Sequence, residues 1–367
     1  MKISNPYTIF PRTLKSKNKI YYYQYRLKNG CRSTPKSTGC TNKASALRFC
    51  NNLYLSGAFE HNLETRFSNF TKNFFSTDSE FYKWKAVNNA TVTNSTLKRY
   101  QELLDNQLLP YFGKFNLSAI SKQEIKNWII WASEKWAIKT VNNAQTVLNI
   151  ILNQAVDKNI IDFNPATNLC FRKYEKKDRE LLTIDELNAC YHSELWNDDN
   201  LKNAFLVACI TGMRISEVVA LRNCDIHDEY LDVQHSYDRR FGLGTTKTKT
   251  SRKVPIPQCL NLHNDNSEWL FVAKNGTPID IVRLLDKLHQ IWNSLGINWQ
   301  KRNLTTHTLR NFFISYLQSE NVSESKIRAT VGHKDSSMTG LYTYWNTEML
   351  SEVYSAQEKL YKSIKGA

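Results

Sequence analysis

The first 59 residues contain no aspartate or glutamate; the first acid is Glu60. The same stretch holds eleven basic residues: Lys2, Arg12, Lys15, Lys17, Lys19, Arg26, Lys28, Arg32, Lys36, Lys43 and Arg48. The net charge of the whole chain is +15, so most of the excess lies in its first sixth. A face built only for solubility mixes both signs. A block this clean points to a polyanion. It is not a low-complexity tail, however. In "KIYYYQYRLKNGCRSTPKSTG", Tyr21, Tyr23 and Tyr25 recur at period two and are followed by Asn29-Gly30. That pattern predicts a strand, a tight primed turn and a returning strand. "TNKASALRFCNNLYLSG" then reads as a helix with Ala46, Phe49 and Leu53 on one face. A small basic sheet with one helix is expected over 1–70. Its candidate DNA-contacting residues are Arg12, Lys19, Arg26, Lys28, Arg32 and Lys36.

Residues 76–175 read as helices only. "SKQEIKNWIIWASEK" opens with Ser121 and Glu124 at capping-box spacing. Ile125, Trp128, Ile129 and Ala132 follow at helical spacing. "NNAQTVLNIILNQAVDKNII" repeats the pattern, and "TNSTLKRYQELLDNQLLPYFG" predicts a helix stopped near Pro110. The charged run "KYEKKDRE" at 173–180 reads as an exposed connector and a domain boundary. The 367 residues are enough for two or three domains, and 41% hydrophobic content is enough for ordinary cores. No apolar run reaches the ~18 residues of a membrane span, and the N-terminus lacks a signal-peptide core. A cytoplasmic location without membrane contact is expected. The eight cysteines show no zinc spacing and read as reduced core thiols.

The second half, from about residue 180, carries the chemistry. Thr183 and Glu186 form another T-x-x-E box. In "LKNAFLVACITGMRISEVVAL" an apolar helix is interrupted at Thr211-Gly212 and followed by Arg214 among apolar neighbours. A buried arginine needs an anionic partner, since an unpaired buried charge costs several kcal/mol. Glu217, three residues on, is the simplest candidate. "GLGTTKTKTSRKVPIP" reads as a β-hairpin with a basic tip bearing Lys247. "TTHTLRNFFISYL" starts a helix with His307 and Arg310 on one face. "KIRATVGHK" is a short helix ended by Gly332, with His333 just beyond. Tyr342 and Tyr344 follow nine and eleven residues after that histidine. Each piece alone has an ordinary packing explanation. The ordered set does not.

This set resembles the tyrosine recombinases, specifically the phage-type integrases. "TGMRISEVVAL" is similar to their first arginine motif, "TKTKTSRKVPI" to their lysine hairpin, "HTLRNFF" to their H-x-x-R helix and "VGHKDSSMTGLY" to the segment from second histidine to nucleophile. The resemblance implies an α+β multidomain protein. Its parts would be an arm-type β-sheet module (1–70), an all-α, SAM-like core-binding domain (76–175) and a mainly α catalytic domain with a small β-sheet or hairpin (180–367). It also implies that Tyr342 is the nucleophile. Tyr344 is two residues further on and cannot share its face.

The implied chemistry matches the residue types. In-line attack on a phosphodiester spreads negative charge over the equatorial oxygens. Arg214 and Arg310 can clamp those oxygens with two-pronged donors. His307 and His333 donate hydrogen bonds and handle protons. Lys247 protonates the departing 5′ oxygen, Glu217 orients the site, and Tyr342 is held as a 3′-phosphotyrosine. No metal, cofactor or ATP is called for. The expected partners are double-stranded DNA at core and arm-type sites, a homotetramer on that DNA, and DNA-bending or directionality proteins. A type IB topoisomerase and a non-catalytic DNA-binding relative are the alternatives. Finally, "EMLSEVYSAQEKLYKSIKGA" predicts a helix with Leu350, Val353, Tyr354, Leu360, Tyr361 and Ile364 along one side. The resemblance suggests that it docks on a neighbouring protomer.

Overall fold

A computed structural model describes residues 6–13, 19–26, 32–55, 65–88, 90, 92–173, 179–246, 251–257, 260, 262, 267–332 and 350–366. The chain divides into two units, Met1–Glu175 and Lys176–Ala367, and the division falls inside the charged connector.

The alternating tyrosines of the first unit form β2 (Lys19–Tyr25), which pairs antiparallel with β1 (Tyr7–Thr13) and with the short β3 (Lys36–Ser37). The Asn29-Gly30 turn lies outside the described residues. Tyr23 and Tyr25 point inward and pack with Cys50 of α1 (Lys43–Leu55), while Tyr7, Ile9 and Leu53 line the same small core. The inward stripe of α1 is therefore the buried Ala46 and Cys50 with the half-buried Leu53, not the expected Ala46, Phe49 and Leu53. Phe49 is 39% exposed and lies edge-on to Tyr23. Cys50 takes the inner position in place of Phe49 because its small side chain fits where the strand tyrosines approach the helix.

The helical part of this unit comprises α2 (Phe67–Phe70), α3 (Glu80–Val87), α4 (Asn94–Leu103), α5 (Leu109–Phe112), α6 (Lys122–Ser133) and α7 (Ile138–Asp157). In α7, Val141, Ala144, Leu148, Ile151, Leu152 and Ala155 are buried at helical spacing and form the centre of a separate core with Trp128 and Phe112. The Ser121 hydroxyl caps α6 by accepting from the Glu124 N–H at 3.1 Å. The helical run passes through Pro110 and stops two residues later, at Phe112, near where the sequence predicts. Residues Leu104–Leu108 form a π turn, in which the Leu109 N–H donates to Leu104 O, and α5 continues to Phe112. The widened turn gives room to a ring that a regular helix would reject.

In the second unit, Thr183 and Glu186 form a complete capping box at the start of α8 (Ile184–Tyr191). Helix α9 (Asp199–Thr211) is buried on nearly all sides from Ala204 onward, which its continuous apolar run requires. The short α10 (Ile215–Val218) follows it. Around this core lie α11 (Ile281–Ser294), α12 (Thr306–Ser319), α13 (Glu324–Val331) and α14 (Ser351–Lys365).

The expected hairpin over 242–257 is not one ladder. Strand β4 (Tyr230–Val233) pairs with β7 (Arg252–Pro255), and β5 (His235–Asp238) pairs with β6 (Gly242–Thr245). Only Gln234 separates the ladders on the outgoing side, whereas 246–251 separate them on the return. The hairpin thus turns between Asp238 and Gly242. Lys247 falls in the 246–251 interval of the sequence and lies outside the described residues.

In the single chain, helix α14 has a place of its own. It docks on its own unit, burying Val353, Ala356, Leu360, Tyr361 and Ile364. The fully buried Gln357 amide donates to Ile210 O at 2.9 Å and to Pro255 O at 2.8 Å. Asn188 of α8 donates to Ser363 O and Ile364 O, both at 3.1 Å. These partners satisfy carbonyls at the ends of α9 and α14, which otherwise lack donors.

Candidate active site

The site is assembled at two left-handed helix ends and the start of a third helix. Helix α9 ends at Gly212 in the left-handed conformation (φ 61°), and a Cβ there would lie 2.3 Å from the Phe313 ring of α12. Only glycine permits this turn. It brings the chain directly to Arg214, which precedes α10. Helix α12 presents His307 and Arg310 in its first turns. Helix α13 ends at Gly332, again left-handed (φ 71°).

Glu217 is 1% exposed and ties these pieces together. The Arg214 backbone N–H donates to its Oε2 at 3.0 Å, and Arg214 Nη1 donates to its Oε1 at 2.9 Å. The ion pair expected from the spacing is therefore present. Yet the Arg214 side chain keeps 20% of its surface, and its Nε and Nη2 have no acceptor among the described residues. Arg310 is 2% exposed, donating from Nη1 to Gly212 O at 2.9 Å and from Nη2 to Val331 O at 2.6 Å. It thus pins the end of α9 to the end of α13, and among the described residues no carboxylate pairs with it directly.

A third guanidinium, which the motifs did not single out, completes the cluster. Arg252 of β7 is 6% exposed; Nη2 donates to Glu217 Oε2 at 2.6 Å and Nε to Thr330 O at 2.9 Å. Its signal in the sequence was strand register, since Arg252 shares the inward face with Val254 and Ile256.

Three cations thus surround one buried anion. Burial, and then the like charges of Arg214 and Arg252, push the Arg310 guanidinium down from its ordinary range to about 9, with Glu217 pulling the other way. Burial alone would raise the Glu217 carboxyl, but Arg252 and then Arg214 hold it below its ordinary value. Such a cluster is short of negative charge, and an oxyanion bound to it would relieve the imbalance.

His307 is exposed, one turn before Arg310. Lys247, His333, Tyr342 and Tyr344 lie outside the described residues. Arg214, Glu217 and Arg310 are therefore brought together as expected, with His307 on the same helix as Arg310. Of the N-terminal candidates, Arg12, Lys19, Arg26 and Arg32 are exposed. Arg12 lies over the Tyr22 ring, and Arg26 faces Arg32 across a β-bridge. Lys36 is held at 2.5 Å by Asp162, and Lys28 is outside the described residues.

Residues 181–349 match the model of the phage integrase family, and 79–130 match its N-terminal SAM-like domain. The chain belongs to the phage integrase family of tyrosine recombinases. Among similar proteins, a probable integrase of prophage ps2 from Lactococcus lactis subsp. lactis is 26% identical over 315 residues, covering 76% of this chain and 81% of that one. The integrase of Staphylococcus phage L54a is 26% identical over 307 residues, covering 73% and 83%. The fold is similar to that of the Tn1549 transposon integrase in complex with a circular intermediate DNA, with a TM-score of 0.57 at 18% identity over 77% of this chain and 98% of that one. It is also similar to lambda integrase in a tetramer bound to a Holliday junction, with a TM-score of 0.54 at 16% identity over 92% and 97%. Like its family, this tyrosine recombinase is a site-specific DNA recombinase with a mixed α+β, multidomain fold. Among the described residues, no helix is long and apolar enough to cross a membrane.

Proposed function

We propose that the chain integrates or excises a mobile DNA element by cutting and rejoining DNA through a 3′-phosphotyrosine on Tyr342. The observation that carries this reading is the cluster of Arg214, Arg252 and Arg310 around the single carboxylate of Glu217. The scissile phosphate is the anion it lacks. Arg214 offers Nε and Nη2 to the non-bridging oxygens, and Arg310 contributes positive charge that is already desolvated and fixed. Such pre-set donors need no reorganisation as charge develops in the transition state. His307 and His333 add hydrogen bonds there. The Tyr342 phenol, which titrates near 10 in water, passes its proton to one of these two imidazoles as its oxygen attacks phosphorus. The 5′ oxygen leaves with a proton from Lys247. The phosphodiester energy is kept in the protein–DNA bond, so a second 5′ hydroxyl reseals the strand without ATP. The guanidiniums supply the charge that a divalent cation supplies elsewhere, so no metal is required.

In the same reading, the exposed arginines of the N-terminal sheet bind arm-type sites distinct from the crossover core. Two like charges opposed on neighbouring strands, as Arg26 and Arg32 are, destabilise a free sheet and suit one that receives phosphates. Strand exchange between two duplexes needs a tetramer on DNA, with DNA-bending or directionality proteins as helpers, in the cytoplasm of a bacterial host.

The test is denaturant trapping of covalent protein–DNA adducts, followed by sequencing of the attached DNA. Wild type and Tyr344→Phe should form adducts on one defined sequence, and Tyr342→Phe should form none while still binding. An adduct that persists in Tyr342→Phe and vanishes in Tyr344→Phe would refute the assignment.

A further inference from the structure

Arg252 reaches from β7 to two other parts of the site, the Glu217 carboxylate and the carbonyl of Thr330 at the end of α13. A Cβ on Gly332 would lie 3.0 Å from both its Cδ and its Nη1, so the turn leading into His333 is moulded against this side chain. Nη1 is buried and has no acceptor among the described residues. A buried cation with an unused donor is a poor choice for stability alone, where an apolar residue serves as well or better.

We infer that Arg252 is a positioning residue: it holds Glu217 Oε2 so that Arg214 keeps two nitrogens open toward the phosphate, and it seats the Thr330–Gly332 turn from which the chain continues to His333. The inference rests on the recombinase chemistry proposed above. Glu217 Oε2 now accepts from Arg252 Nη2 and the Arg214 backbone, while Oε1 alone takes Arg214 Nη1. Without Arg252, Oε2 is available to a second Arg214 nitrogen. A carboxylate and a guanidinium then close into a two-pronged pair, which turns Arg214 onto Glu217 and away from DNA. Lysine cannot replace the fork, because one ammonium on a flexible stem does not span Glu217 and the Thr330 carbonyl with fixed geometry. Arg252 also opens β7, five residues beyond Lys247 in the sequence.

The experiment is single-turnover adduct formation, with DNA affinity measured in parallel, on a nicked form of the duplex recovered from the wild-type adducts. Arg252→Lys and Arg252→Gln should slow adduct formation about 10- to 100-fold, the range seen when a supporting residue is removed, without loss of affinity. Glu217→Gln placed in the Arg252→Gln background should recover part of that loss, because no carboxylate remains to capture Arg214. A purely structural arginine gives the opposite result, with the double variant at least as slow as Arg252→Gln. Circular dichroism checks folding; if Arg252→Gln does not fold, Arg252→Lys decides, and its wild-type rate would overturn the inference. A wild type that forms adducts together with unaffected Arg252 variants defeats this inference alone. A wild type that forms none on any duplex defeats the recombinase reading and this one with it.

Discussion

The N-terminal sheet and the arginine cluster of the second unit both offer positive charge to a polyanion, in opposite ways. On the sheet, Arg12, Lys19, Arg26 and Arg32 are exposed and keep their water. In the cluster, Arg310 and Arg252 are 2% and 6% exposed, and protein carbonyls and one carboxylate fix their geometry. Exposed cations attract phosphates over distance and release counterions, which gives affinity that falls with salt. Buried cations have already lost their solvation, so they give little general attraction and much stabilisation of one anion in one place. Exposure, more than charge, decides which job a basic residue does.

The largest way to break this contrast is to remove the sheet. Deleting residues 1–55, which removes the sheet and α1 and spares the buried Phe67 of the helical core, should abolish arm-site binding and flatten the salt dependence of DNA affinity, by roughly 0.9 in log–log slope for each phosphate lost, while isolated core-site cleavage survives. Titrations of both proteins at several salt concentrations check it, and an unchanged slope would place the salt-dependent contacts elsewhere.

Next in size is Gly212→Ala. The new Cβ meets Phe313 at 2.3 Å in a left-handed conformation, and the cost should be about 1–3 kcal/mol in denaturant unfolding. Because Gly212 O accepts from Arg310, cleavage should fall as well. A variant as stable and active as wild type would mean that the turn is not rigid.

The pH response sharpens the contrast from another side. The Glu217 carboxyl lies below its ordinary 4.5 in the folded chain. The stability it contributes is therefore complete above 4.5 and is lost as pH falls through the depressed value. Glu217→Gln should remove that part of the acid sensitivity, which thermal unfolding across pH 3 to 6 (roughly the carboxylate range) would reveal. Curves of identical shape would mean that Glu217 does not gain its partners on folding.

The smallest effect separates two cations of the sheet. Arg12→Gln should reduce the salt slope by roughly 0.9, whereas Lys36→Gln should change it less, because Asp162 already holds Lys36. Equal slopes would show that the Lys36–Asp162 pair opens on DNA.

Arg214, Glu217 and Arg310 were legible because they stand in motifs whose residue types and order along the chain resemble those of the family. Thr183 and Glu186 were legible because a cap is local. Arg252 was not, because its role depends on a strand crossing to α13, and in "TSRKVPI" it reads as one more basic residue near a turn. The same tertiary dependence explains the other differences. Phe49 yields the inner face of α1 to Cys50 because of what the strand tyrosines leave free. Pro110 stays within a helix because a π turn precedes it. The hairpin turns between Asp238 and Gly242 because β5 and β6 pair there, a register that the lysine-rich run did not reveal. For α14, an apolar stripe announces docking without naming the surface, and the acceptors of Gln357 are on its own unit.

The central claim is that the buried cluster serves the transition state rather than DNA affinity. Arg310→Lys tests it most directly, with single-turnover cleavage and DNA affinity measured on the same nicked core duplex. The charge is kept and the two-carbonyl fork is lost, so the account predicts a rate loss of at least ~2 kcal/mol, about 30-fold, with affinity unchanged. Wild-type cleavage by Arg310→Lys, or a loss confined to affinity, would contradict it.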